Sequence, residues 1–250
     1  ISSNRYVPMI LPDGRSLHGI NDASIRIGLR LSKDETIVRM PFEVRHMGSK
    51  YPIFSFDFTG AKRGVLPASY DYLRLEGRMQ YRLNLPPIGY SQLMLEGGKI
   101  FGKVPYLLLK LHEGNGTYFY DRYAFSCMNF YEFSSDAWIS FFYEHHFNGF
   151  LLGRVPLLKK LNWREVFVFK GVYGTLSARN DGSLPNTKAV MLFPVGMSSV
   201  EHPYLETGFG IENIFRLLRV DCIWRLTHHR AVPGLSIPTF TVNFSLNLKF

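Results

Sequence analysis

A chain of 250 residues, 46% hydrophobic with a mean hydropathy of −0.03, is one domain by default, and it lacks any run near the ~18 apolar residues that a spanning helix needs. Cys127 and Cys222 are too few for a disulfide scaffold and lack metal-ligand spacing, and Cys222 sits among the apolar positions of its segment as a small hydrophobe. The formal net charge of +9 suits a basic globular surface or a nucleic-acid patch, unless the bases are confined to one face of the fold.

Segments with a period of two recur along the chain. Residues 22–32 place Ala23, Ile25, Ile27, Leu29 and Leu31 on one face and Ser24, Arg26, Gly28, Arg30 and Ser32 on the other. Residues 36–46 set Val38, Met40, Phe42 and Val44 against Arg39, Glu43 and Arg45, and 51–60 carry Phe54, Phe56 and Phe58. Leu73, Leu75, Gly77, Met79, Tyr81 and Leu83 alternate with Arg74, Glu76, Arg78, Gln80, Arg82 and Asn84, until Pro86-Pro87 ends the strand. Further strands are expected near 89–101, 119–131, 135–147, 163–177, 202–212, 217–228 and 238–250, about eleven in all. The last is the cleanest: Phe240, Val242, Phe244, Leu246, Leu248 and Phe250 share one face, and Thr239, Thr241, Asn243, Ser245, Asn247 and Lys249 the other.

A strand this long and open is avoided at the edge of a soluble sandwich. It suits the closing strand of a transmembrane barrel, with lipid on one side and a polar lumen on the other. The predicted fold is therefore all-β, an antiparallel transmembrane β-barrel in the bacterial outer membrane. An aromatic content of 15% suits girdles at two interfaces. The six alternating apolar residues ending on Phe250 are expected to serve as the membrane-insertion signal, read by barrel-assembly machinery. The chain starts at Ile1 with neither Met nor a signal sequence, so 1–250 is expected to be a single barrel domain forming the C-terminal portion of a longer chain.

In this frame the charge has an address. Arg74, Arg78, Arg82, Arg219 and Arg225 fall on the polar face with Glu76 and Asp221, because charge facing mid-bilayer lipid costs ~2–4 kcal/mol. Two readings stay open: a network that fills a narrow lumen, or a basic wall that attracts an anionic passenger. Neither involves nucleic acid. With a periplasmic C-terminus, counting strands backwards puts 178–199 and 229–236 outside the cell and 60–69, 102–118 and 148–162 in the periplasm. Residues 148–162 mix paired leucines with Arg154, Lys159 and Lys160, as an interfacial segment or a packed turn would.

Candidate chemistry is sparse. Neighbouring histidines at His145-His146 and His228-His229 point to opposite faces of a strand and cannot chelate one metal in regular geometry. Glu144 and His146 share a face and could act as an acid–base pair, but Ser134, Ser135 and Asp136 lie at the far end of the same strand. Gly208-Phe209-Gly210 lies inside a strand, which argues against a nucleotide site. No cofactor is expected. A hairpin over 128–136 packs Phe130, Tyr131 and Phe133 beside Asn129, Glu132 and Asp136. It either folds inward so that its acids meet lumenal arginines, or forms an aromatic girdle at the outer leaflet edge.

Six ordered motifs, G-K-V-P-Y (102–106), M-N-F-Y-E-F-S-S-D (128–136), E-H-H-F-N-G-F (144–150), P-L-L-K-K-L-N-W-R-E (156–165), Y-L-E-T-G-F-G-I-E-N-I-F (204–215) and R-V-D-C-I-W-R-L (219–226), carry a resemblance. They resemble an uncharacterised outer-membrane family of Bacteroides-type bacteria, in which a carboxypeptidase-regulatory-like domain precedes a C-terminal barrel. Gly208-Phe209-Gly210 and Arg219-Val220-Asp221 are more distantly similar to the surface-antigen barrel superfamily of outer-membrane assembly and two-partner secretion. There an Arg-Gly-aromatic hairpin folds into the lumen, whereas Met128-Asn129-Phe130-Tyr131 lacks the Arg-Gly. The resemblance implies a non-enzymatic protein of envelope biogenesis or polypeptide handling. The alternatives are a structural or accessory subunit beside other outer-membrane proteins, and an outer-membrane hydrolase.

Overall fold

The computed structural model describes residues 8–40, 43–65, 67–183, 188–230 and 236–246. In chain order its strands are β1 (Ile25–Leu31), β2 (Thr36–Met40), β3 (Glu43–Gly48), β4 (Ile53–Ala61), β5 (Tyr72–Asn84), β6 (Tyr90–Gly102), β7 (Lys110–Leu111), β8 (Phe133–Ser135), β9 (Ala137–His146), β10 (Arg164–Thr175), β11 (Ser198–Ser199), β12 (Tyr204–Ile214), β13 (Leu218–Arg225) and β14 (Phe240–Leu246). A single helical turn, α1 (Pro156–Lys159), precedes β10. Nine strands form one antiparallel sheet in the order β1-β4-β5-β6-β9-β10-β12-β13-β14. Among the described residues β1 and β14 are its two edges and the sheet does not close on itself.

Alternation fixes what each face meets. On β5 and β6, Arg78 stands opposite Glu96 on the inner face, while Leu75 and Met79 point outward. On β9, Trp138, Ser140, Phe142, Glu144 and His146 are buried on the inner face. The outer face is apolar and uncovered: Ile27 is 65% exposed and Leu246 64%. A continuous band of this kind is unfavourable in water and requires an apolar surrounding. Phe240 and Phe244 belong to it, with half-buried Val242 between them. Leu248 and Phe250, expected to continue the band, lie outside the described residues, as does Phe42.

Two of the eleven expected strands are absent from this sheet. Residues 36–46 give not one strand but a separate hairpin, β2 against β3, with Met40 opposite Glu43. The sequence holds the reason in Pro41, which has no N–H to give a continuous ladder. Residues 119–131 form no strand at all.

Removing that strand corrects the expected layout of the connections. Residues 62–71, 103–136, 176–203 and 226–239 all join strands at one end, whereas 32–52, 85–89, 147–163 and 215–217 join them at the other. The loops 60–69 and 102–118 therefore share an end with 178–199 and 229–236 rather than opposing them. A core of Met9, Ile20, Ile100, Val104, Tyr106, Trp138 and Met191 packs at the long-loop end.

The faces carry a direct test. Leu75→Arg is expected to destabilise the protein in a bilayer by about 2–4 kcal/mol, whereas Arg78→Gln should be mild because Lys110 still pairs with Glu96 at 2.6 Å. Equal folding yields of the two variants in lipid vesicles would mean that the register is off by one residue.

Candidate functional site

Residues 103–132 fold back over the inner face of the sheet, and wall side chains take the place of strand partners. Buried Lys170 donates from Nζ to the carbonyl oxygens of Asp121 (2.7 Å) and Ala124 (2.6 Å). The Glu206 carboxylate accepts from the backbone N–H of Ser126 (2.8 Å) and Cys127 (2.7 Å), and from the Tyr204 hydroxyl (2.6 Å). These side chains meet four backbone groups that a ladder would otherwise pair, and 119–131 forms no strand. Phe125 and Met128 seal the contact, packed among Met94, Phe142, Val172 and Tyr204 of the wall. Burying each of these two side chains contributes about 1.5–3 kcal/mol.

The centre of the arrangement is Glu144 on β9. It accepts from Arg122 Nε (2.7 Å), from Arg219 Nη2 (3.3 Å) and from the Tyr120 hydroxyl, and His146 Nε2 lies 3.4 Å away. Arg219 also grips Asp221 on its own strand through two hydrogen bonds of 2.8 Å. Lys170 and Arg219 both lie over the Tyr120 ring, 4.5 and 4.4 Å from its centroid. Burial, then the neighbouring carboxylate, holds the Tyr120 phenol well above its usual pKa, so it stays a donor. Gly210 faces Asp221 across β12 and β13, and a Cβ there would come within 2.2 Å of the carboxylate, so the G-F-G motif clears space for the Arg219–Asp221 pair.

A second clasp holds the 128–136 hairpin. Arg225 meets Glu132 at 2.6 Å and donates to the Cys127 carbonyl at 3.2 Å, and Glu132 accepts from the Asn129 N–H at 2.8 Å. Among the described residues Asp136 meets no arginine; it accepts from Ser177 N–H (3.0 Å), the Ser177 hydroxyl and Asn180 Nδ2 (3.1 Å). Both acids are buried, whereas Phe130 is 63% exposed and Tyr131 lies at the surface. The same segment reaches the sheet edge. Tyr120 N–H donates to the Phe244 carbonyl, and Phe244 N–H to that of Tyr118, both at 2.7 Å.

The charges singled out in the sequence fall into two clusters. Arg219, Asp221 and Arg225 join the buried clasps. On β5, Arg74 pairs with Glu76 at 2.7 Å, Arg78 with Glu96 at 2.6 Å, and Arg82 lies 4.1 Å from the centroid of the Tyr90 ring. Sequence reasoning missed Tyr120, Arg122, Lys170 and Glu206. Lys170 and Glu206 carried a signal, as mid-strand charges flanked by apolar or small residues on the same face. Glu144–His146 do share a face, yet the carboxylate is fully engaged with two arginines and a phenol. Among the described residues no group of His, Cys, Asp and Glu could hold a metal ion.

His112 lies in the same inward segment, its Nε2 2.9 Å from Ser135 Oγ. Burial, then Lys110, pushes its pKa down to about 3 from 6.5. Because the folded value is below the unfolded one, the stability held by neutral His112 is complete above about pH 6.5 and is lost as pH falls towards 3. The denaturation midpoint should therefore drop between pH 7 and pH 4, and His112→Gln should flatten the profile. An unchanged slope in the variant would remove His112 from the account.

A family described as of unknown function (DUF5686), C-terminal domain, matches residues 15–178. Among solved structures, the crystal structure of BamA from Haemophilus ducreyi lacking POTRA domains 1–3 superposes with a TM-score of 0.52 at 10% identity, over 95% of this chain and 45% of that one. The chain thus spans about half the length of that structure, and the likeness establishes the fold: the nine-stranded sheet is barrel wall. No curated protein matches.

Proposed function

The chain belongs to the DUF5686 C-terminal domain family, and from that premise we propose that it forms part of a non-enzymatic outer-membrane β-barrel concerned with envelope biogenesis. The apolar outer face and the BamA-like fold support a lipid surrounding. The 32–52, 85–89, 147–163 and 215–217 connections belong at the periplasmic end, and 62–71, 103–136, 176–203 and 226–239 outside. A Bacteroides-type host and a preceding carboxypeptidase-regulatory-like domain are part of the same proposal, resting on the resemblance of the sequence motifs. Assembly would pass through the barrel-assembly machinery.

One observation carries the functional reading: residues 103–132 are tied to the wall by Lys170, Glu206, Glu144 and Arg225 rather than lying loose in the lumen. A lumen filled this way favours an accessory subunit that acts through contacts with other outer-membrane proteins over an open conduit for polypeptides. The saturated Glu144 offers no free base to a nucleophile, which supports a non-catalytic role. In planar bilayers the full-length protein should show little conductance, and replacing 113–131 by a Gly/Ser linker should open large steps. Porin-like conductance of the unaltered protein would overturn the closed-lumen reading.

A further inference from the structure

At the end that carries the 147–163 connection, α1 and the β12–β13 turn flank a groove of about 720 Å³. Lys159, Lys160, Arg164 and Arg216 line it and no carboxylate does. Among the described residues none of these four bases has an acidic partner, unlike the paired arginines of the inner face. The two walls are joined where Asn213 Nδ2 donates to the Asn162 carbonyl at 2.8 Å. Phe215, which lines the groove, is 87% exposed, and Leu157 of α1, next in sequence to the lining Leu158, is 82% exposed.

The turn itself is chosen against backbone ease. Phe215 and Arg216 both have positive φ, 50° and 67°, a backbone conformation that Gly or Asn adopts with less strain. Both side chains line the groove. Trp163 lies in the groove beside Arg164, where β10 begins and the apolar band meets water.

We propose that this groove binds the headgroup phosphate of an anionic glycerophospholipid, with Leu157 and Phe215 among its acyl chains. Unpaired bases fit the phosphate, and flanking apolar side chains fit a lipid better than a soluble phosphate. The proposal rests on the outer-membrane reading above.

The test uses full-length protein in nanodiscs of phosphatidylcholine, with and without phosphatidylglycerol, followed by native mass spectrometry of retained lipid. The unaltered protein should retain phosphatidylglycerol preferentially. One base near an anionic surface strengthens binding about fivefold, so Lys159→Gln/Arg216→Gln should weaken the preference by about twenty-five-fold. Arg179→Gln/Lys188→Gln, the same charge change at the opposite end, should leave it intact. If the double variant folds poorly, Lys160→Gln alone should lose about fivefold. No lipid preference in the unaltered protein, or an equal loss in the control variant, overturns the site while leaving the barrel standing. Failure to enter nanodiscs of either composition sinks the outer-membrane reading and the site with it.

Discussion

Replacing Glu144 by Ala is expected to lower the unfolding free energy by about 3–5 kcal/mol, the cost of leaving a buried charge without its partner. The carboxylate is 2% exposed and Arg219 3%, so water cannot take over the lost interaction. Arg219 keeps Asp221, but Arg122 and the Tyr120 hydroxyl lose the group that pins them to the wall. The 118–122 segment should then come away, and with it the two backbone hydrogen bonds to Phe244 on the β14 edge. Denaturant unfolding of the full-length protein in detergent micelles gives the energy, and limited proteolysis near Arg122 reports the release. A loss below about 1 kcal/mol would mean that Glu144 is one contact among many and not the hub.

Arg225→Leu should cost a similar amount, about 3–5 kcal/mol, because it strands the 5%-exposed Glu132 carboxylate. The Cys127 carbonyl loses a donor at the same time. Adding Glu132→Gln should recover part of the loss, since the second change removes the uncompensated charge left by the first. In a double-mutant cycle the two residues should couple by up to about 3 kcal/mol. Strict additivity of the two substitutions would show that the hairpin is held by the packing of Phe133 and Met128, with the ion pair incidental.

The sequence by itself determined the class of fold and the side each strand residue takes. A period of two is a property of the extended backbone, so Leu75 and Arg74 must face opposite ways whatever the strand pairs with. The expense of charge in an apolar phase then identified the inner face on β5 and β13. The BamA-like fold agrees with the class of fold. Local pattern misled where side chains supply what a ladder would have supplied. Residues 119–131 are aromatic-rich and strand-length, yet four of their backbone groups are met by Glu206 and Lys170, which stand 79–80 and 46–49 positions away along the chain. Nothing within a window of a dozen residues encodes that exchange.

The same limit applies to the site. Arg219, Asp221, Arg225, Glu132 and Glu144 were legible as polar residues on inward faces, but which acid meets which base depends on how strands β9 to β13 lie side by side and on the path of the segment between β6 and β9. Losing one expected strand also reversed the end at which 60–69 and 102–118 emerge, because each strand turns the chain round once. Composition and alternation act through neighbours in sequence, and they settled the sheet. Ion pairing at 2.6–3.3 Å acts through neighbours in space, and only the tertiary structure could decide that residues 103–132 cover the inner face of the sheet.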